Sequence, residues 1–227
     1  MESEQDQPVP KQKLYNDNEK VIYEGGLDAM DLKEGYGQEY YYNGKLKTKG
    51  IYKNNLPNDK NFEYYNHQGY LEFAGNVENG LKQGFGKEYH HNGNLRHEGT
   101  YLSNQIHNDN CTLYRANKNL EYIGSIKNGL FNGYGDYYND GGKLMTKSYW
   151  ADNNANGDSS ECYHENDNLK YKGQMKGNLY EGQGEQFHEN GQTRYKGEFR
   201  RGRPNGKICE MYHDNGQLRI KVPMING

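Results

Sequence analysis

Along most of this chain, apolar and polar residues alternate one by one. Leu95, His97, Gly99 and Tyr101 are separated by Arg96, Glu98 and Thr100, and the same alternation recurs in Leu71, Phe73, Gly75, Val77, in Leu120, Tyr122, Gly124, Ile126 and in Leu169, Tyr171, Gly173, Met175. A period of two belongs to a strand with one face buried, so these runs predict strands with one apolar, aromatic face and one charged face. The stretch from Phe73 to Leu95 reads as a loop, carrying Asn79-Gly80 and then Gly84 and Gly86, followed by a hairpin that turns at Asn92-Gly93. An Asn-Gly pair at a hairpin predicts a type I′ turn, in which both central residues need positive φ.

The rest of the chain copies that stretch. A glycine recurs at Gly25, Gly50, Gly75, Gly99, Gly124, Gly173 and Gly197, with Ser148 and Val222 in the two remaining places. A leucine falls at Leu46, Leu71, Leu95, Leu120, Leu144, Leu169 and Leu218, with Thr193 once, and six residues earlier stands Tyr40, Tyr65, Tyr89, Tyr114, Tyr138, Tyr163, Phe187 or Tyr212. Steps alternate between 24 and 25 residues, so the larger unit is 49 residues. A Gly-x-Gly marks only the odd repeats, at Gly35/Gly37, Gly84/Gly86, Gly133/Gly135 and Gly182/Gly184. Residues 1–20 lack periodicity and predict a mobile tail. Residues 21–227 predict about eight repeats in four pairs plus a partial ninth. The fold class expected is all-β: an elongated, twisted single-sheet ribbon of tandem antiparallel β-hairpins, each repeat advancing roughly 9–10 Å.

Composition sharpens this. Leu, Ile, Val and Phe make up roughly 15% of the 227 residues, below the ~20% at which disorder is suspected, yet there are 23 tyrosines. Tyrosine must therefore build the core, its ring buried and its hydroxyl bonded or wet. A net charge of −3 gives no global reason to expect nucleic acid. Three scattered cysteines and a polar, acidic N-terminus point to a reducing, intracellular and cytoplasmic setting.

Phe73 to Gly86 and Tyr122 to Gly135 fit the pattern Y-x-G-x-x-x-N-G-x-x-x-G-x-G, and Tyr195, Gly197, Gly202 and Gly206 fit most of it. These segments resemble the MORN repeat, including its variant with a Tyr-Tyr-x-Asn-Gly-x-Leu hairpin. The resemblance implies a scaffold in cytoskeletal, ciliary (axonemal, radial-spoke-like) or membrane-junction assemblies. It also implies two alternatives: a peripheral adaptor for anionic lipid, or an antitoxin-like, enzyme-regulating binding module.

Candidate chemistry dissolves into repetition. His90, His164, His188 and His213 each follow the aromatic column, but a spacing of roughly 9–10 Å separates ligands that zinc needs within about 2.1 Å. Cys111, Cys162 and Cys209 read as small strand residues. No helix N-terminus follows any Gly-x-Gly, as a phosphate loop requires. Glu39, Glu63, Glu88 and Asp136 recur as a structural column. No catalytic residue, metal, cofactor, small-molecule substrate or nucleic acid is expected, and the protein reads as a non-enzyme with protein partners.

Three features break the symmetry. From Leu169 onward 11 Lys/Arg face 6 Asp/Glu, and Lys170, Lys172, Arg194, Lys196, Arg219 and Lys221 are expected on one strand face. Arg200, Arg201, Arg203 and Lys207 extend that basic surface, which suits an acidic protein or anionic lipid. Ile220, Val222 and Met224 form a candidate docking edge. Trp150, the single tryptophan, is a packed strand residue or an interface anchor.

Overall fold

The computed structural model describes residues 11–224. Among these, every regular element is a strand, antiparallel to each strand it pairs with. The chain divides into two compact units, Met1–Ile106 with Ala116–Lys118, and His107–Arg115 with Asn119–Gly227. In the first, strands such as Lys33–Tyr40, Leu46–Lys53, Asp59–Tyr65, Leu71–Glu78, Leu81–Tyr89 and Leu95–Leu102 follow one another as hairpins. The second repeats the scheme with Leu120–Lys127, Leu130–Tyr138, Leu144–Ala151, Ser160–Tyr163, Leu169–Lys176, Leu179–Phe187, Thr193–Arg200, Gly206–Tyr212 and Leu218–Met224. The all-β, tandem-hairpin fold is as expected.

Tyrosine does build the core. Tyr23, Tyr52, Tyr101, Tyr122, Tyr171 and Tyr195 are fully buried with Phe62, Phe73 and Phe199. Their hydroxyls are satisfied locally. Tyr23 donates to the carbonyl of Gly26, Tyr122 to Ser125, Tyr171 to Gln174 and Tyr195 to Glu198, at 2.7–3.1 Å. Each bond spans three residues, so one strand both presents the ring and accepts its proton. Rings from alternate strands meet edge to face over the glycine-bearing strand between them, Phe73 on Tyr101 at 5.2 Å and Tyr171 on Phe199 at 5.2 Å, the arrangement their quadrupoles favour.

The glycine columns make room for those rings. Gly75 pairs with Gly86 and Gly86 with Gly99; Gly173 pairs with Gly184 and Gly184 with Gly197. A Cβ on Gly86 would lie 2.5 Å from the ring of Phe73, and one on Gly135 would lie 2.2 Å from the hydroxyl of Tyr122. The Gly-x-Gly is thus a seat for an aromatic ring.

Turn chemistry differs from the expectation. The type I′ turn sits where a loop was expected: Asn79 and Gly80 both have positive φ (49° and 81°) between the paired Glu78 and Leu81. Asn54–Asn55, Ser103–Asn104, Asn128–Gly129 and Arg201–Gly202 turn the same way. At Asn92-Gly93 only Gly93 has positive φ, and its N–H donates to the His90 carbonyl while His90 N–H donates to Asn94. That is a type I turn closed by a left-handed residue, followed by a bulge.

The bulge corrects the face assignment. Tyr89 pairs with Leu95, but the next partners are Glu88 and His97, so Arg96 is the extra residue. This register puts Leu95 with Tyr89 on the face opposite His97, Gly99 and Tyr101, and puts Arg96 within 2.7 Å of Glu88. Strict alternation had placed them the other way, because a period of two cannot see an inserted residue.

The tail boundary also shifts. Residues 1–10 lie outside the described residues, but Gln12–Tyr15 is a strand paired with the strand Val21–Leu27. Its turn repeats the bulged type, with Glu19 (φ 58°) in the glycine position. Tyr15 and Val21 occupy the aromatic and leucine columns, valine standing in the leucine's place.

Candidate functional site

On the aromatic face of the second unit lies an open groove of about 370 Å³. Its origin is one rung of the ladder. Thr146 pairs directly with Cys162. At the equivalent rungs Thr48 faces Tyr64, and Tyr195 faces Met211, so one large side chain fills the space. Here neither does. The groove is lined by Met145, Trp150, Cys162, Met175, Leu179 and Tyr180, with Tyr163 and Lys170 at one end. Tyr180 stacks on Tyr171 at 3.8 Å, and Trp150 gives its indole N–H to the Gly135 carbonyl at 2.8 Å. Burial pushes the Cys162 thiol up, away from thiolate reactivity, with Thr146 and the Lys170 charge partly offsetting that. A second, more polar recess shares Met145, Tyr163 and Lys170 and adds Lys143, His164, Glu165, Asn166 and Glu189.

The two units differ in one column. In the first, Lys33 and Lys82 lie over aromatic rings, Lys82 4.5 Å from the centre of Phe73, and pair with Glu39 and Glu88. Burial pushes both carboxyls up. For Glu39 the bond and charge of Lys33, with Lys47 and Thr48, together outweigh it, and for Glu88 the charges of Lys82 and Arg96 with the bonds from Arg96 and Tyr101 do, so both are held below the usual carboxylate range. In the second unit the same column holds Phe131 and Tyr180, stacked on Tyr122 and Tyr171 at 3.8 Å.

Family models settle what these repeats are. A model described as "MORN repeat" matches residues 122–143, 171–193 and 195–207, and one described as "MORN repeat variant" matches 33–54, 83–102 and 206–226. Together the segments span just over half of the chain. The chain is a MORN repeat protein. Comparison with curated proteins found no match. MORN repeats are commonly protein- or lipid-binding modules and are generally non-catalytic.

In this MORN protein the residues singled out from sequence are not brought together as one site. Lys172, Lys196 and Lys221 lie on the outer face, each paired across the ladder with Glu161, Glu185 or Glu210 at 2.9, 3.9 and 2.7 Å. Lys170, Arg194 and Arg219 are the extra residues of three bulges, which turns them toward the aromatic face. The single basic strand face is therefore split in two. Arg200, Arg201, Arg203 and Lys207 are exposed around a tight turn, where Arg201 N–H donates to Glu181. Ile220, Val222 and Met224 pair with Met211, Cys209 and Gly206 on the last described strand, and Ile220 is 41% exposed. Trp150 is 6% exposed among Tyr122, Phe131 and Tyr137. It packs the core and walls the groove, and it is no free surface anchor.

Two of the four histidines singled out from sequence are staples between repeats. His164 Nε2 lies 3.1 Å from the Phe187 carbonyl, and His188 Nε2 lies 3.1 Å from that of Tyr212. Asparagines of the bulged turns do the same, Asn166 donating to Glu189 and Asn190 to Asp214. Among the described residues no cluster of His, Cys, Asp or Glu could hold a metal. Sequence reasoning missed the groove, whose signal was two small residues on one rung, sixteen positions apart.

Proposed function

We propose that this protein is a non-catalytic scaffold or adaptor that binds other proteins in an intracellular, cytoplasmic assembly of cytoskeletal or ciliary kind. The observation that supports it is a set of aromatic rings displayed on the outer face. Tyr134 is 78% exposed and meets its cross-strand partner Tyr149 edge to face at 5.3 Å. Tyr36 beside Ile51, and Phe85, stand exposed at the equivalent Gly-x-Gly positions. Rings fixed at mid-strand on a paired backbone lose little entropy on binding, and such aromatics dominate interface energies. Cross-linking pull-down with the parent and a Tyr134→Ser/Tyr149→Ser variant tests this. Partners should be cytoskeletal or axonemal proteins, and reconstituted binding should fall in the variant; undiminished binding rejects the surface, and partners of another kind reject the assembly.

A second reading, a peripheral adaptor for anionic lipid, is favoured by the exposed Arg200, Arg201, Arg203 and Lys207 beside Ile208, which is 65% exposed. Basic residues next to an exposed apolar side chain suit a membrane surface. Flotation on phosphatidylserine vesicles should then depend on those four cations, and binding indifferent to their change to Glu rejects it.

A further inference from the structure

The groove at the Thr146–Cys162 rung has a chemistry that selects its occupant. Its walls are mostly methionine and cysteine sulfur, aromatic ring and leucine; of the polar groups that also line it, the Trp150 indole N–H is spent on Gly135, the Asn178 amide on Ala155 and Asn154, and the Thr146 hydroxyl faces Cys162. The backbone beneath it is engaged in ladder pairs, Thr146 with Tyr137 and Cys162 with Tyr171. An extended peptide laid here would leave its own amides buried and unpaired, each at the desolvation cost of an unmet hydrogen bond, whereas an alkyl chain has no such groups. The end of the groove carries Lys170, which makes no ion pair among the described residues and lines both recesses. Beyond it, Lys143 is bonded to the Glu165 carbonyl, and Glu165 and Glu189 line the polar recess. With Lys143 spent on that carbonyl, Lys170 is the cation left to hold a negative group at the end of the groove.

We propose that this groove binds an unbranched alkyl chain ending in a carboxylate, a fatty-acid-like ligand, with the chain along Trp150, Cys162, Met175 and Tyr180 and the carboxylate at Lys170. The site goes beyond the scaffold reading and stands without it.

Trp150 reports on the groove directly, being the only tryptophan. The full chain is titrated with dodecanoate below its micellar concentration, with fluorescence and calorimetry as readouts. A saturable change in Trp150 emission is expected with the parent. Cys162→Tyr recreates the Thr48–Tyr64 rung that the fold already carries, and it should abolish binding while leaving the circular dichroism unchanged. If that variant fails to fold, Thr146→Leu fills the same space from the opposite strand and is held to the same result. Lys170→Glu should weaken binding by roughly tenfold or more, and dodecyltrimethylammonium should bind more weakly than dodecanoate. The proposal is overturned by the absence of a saturable response, by binding that survives the filled groove, or by equal affinity for the cationic chain. A response to an apolar, acidic peptide with none to dodecanoate would hand the groove to a protein partner and overturn it equally.

Discussion

Gly86 and Gly93 look alike in the sequence and carry different burdens. Gly86→Ala would place a Cβ 2.5 Å from the ring of Phe73, and overpacking of this kind costs about 1–3 kcal/mol. Gly93 has φ 82° with nothing within 4 Å of where a Cβ would stand, and Lys118 and Asp167 occupy the equivalent turn position. Gly93→Asn should therefore cost less than about 1 kcal/mol. Urea unfolding of the two variants against the parent separates these outcomes. Glu39 and Glu88 supply a pH dependence with a definite sign. Their folded pKa lies below the ordinary 4.5, so their contribution is full above that value and is lost as pH falls through the lower folded one. The acid limb of the stability curve should flatten in Glu88→Gln. At the other extreme Tyr23 is pushed up to about 12 by burial, reinforced by Glu39 and Glu34. A raised pKa stabilises below the ordinary value of 10 and ceases to as pH rises through 12, so tyrosinate absorbance from the core should appear together with unfolding.

At the scale of the hairpin, the two ends of each strand are held differently. One end turns tightly on two left-handed residues; the other uses a bulged turn whose asparagine reaches the next repeat. Asn166→Ala removes the 2.7 Å bond to the Glu189 carbonyl, at about 0.5–1.5 kcal/mol, and amide exchange of the His188–Gln192 turn should quicken before exchange in the strands. The strands, the repeat and the aromatic core were legible because period two and the 24/25-residue rhythm are carried by residue type: Phe73, Tyr122, Tyr171. The bulge was not, because Arg96 and Lys170 are ordinary members of an alternating string until a partner strand shows which residue is extra. Gln12–Tyr15 escaped for a different reason. A strand that keeps the tyrosine but puts Glu19 for glycine and Val21 for leucine satisfies the turn geometry without matching its commonest residues. The groove escaped because it is a joint property of Thr146 and Cys162, each unremarkable alone.

At the scale of the whole chain, the two units carry the same fold with different fillings of one column. Lys33 and Lys82 over aromatic rings in the first unit meet their counterparts Phe131 and Tyr180, stacked on aromatic rings, in the second. Acid below the ordinary carboxylate value of 4.5 should loosen the first unit ahead of the second, since only the first rests its column on lysine–carboxylate pairs; hydrogen exchange at neutral pH and below that value, followed by mass spectrometry, reads this unit by unit, and equal protection loss in both would count against it. The glycine columns have a separate consequence. Gly124 pairs with Gly135 as Gly173 pairs with Gly184, so the chain matches itself at intervals of 49 residues and mismatches at half that interval. Inheritance by duplication should then proceed in whole pairs. A gene trimmed of the codons for Tyr122 to Lys170 would splice one ring seat onto the next, whereas a cut of half that length would set an aromatic ring against a partner strand that has no seat for it.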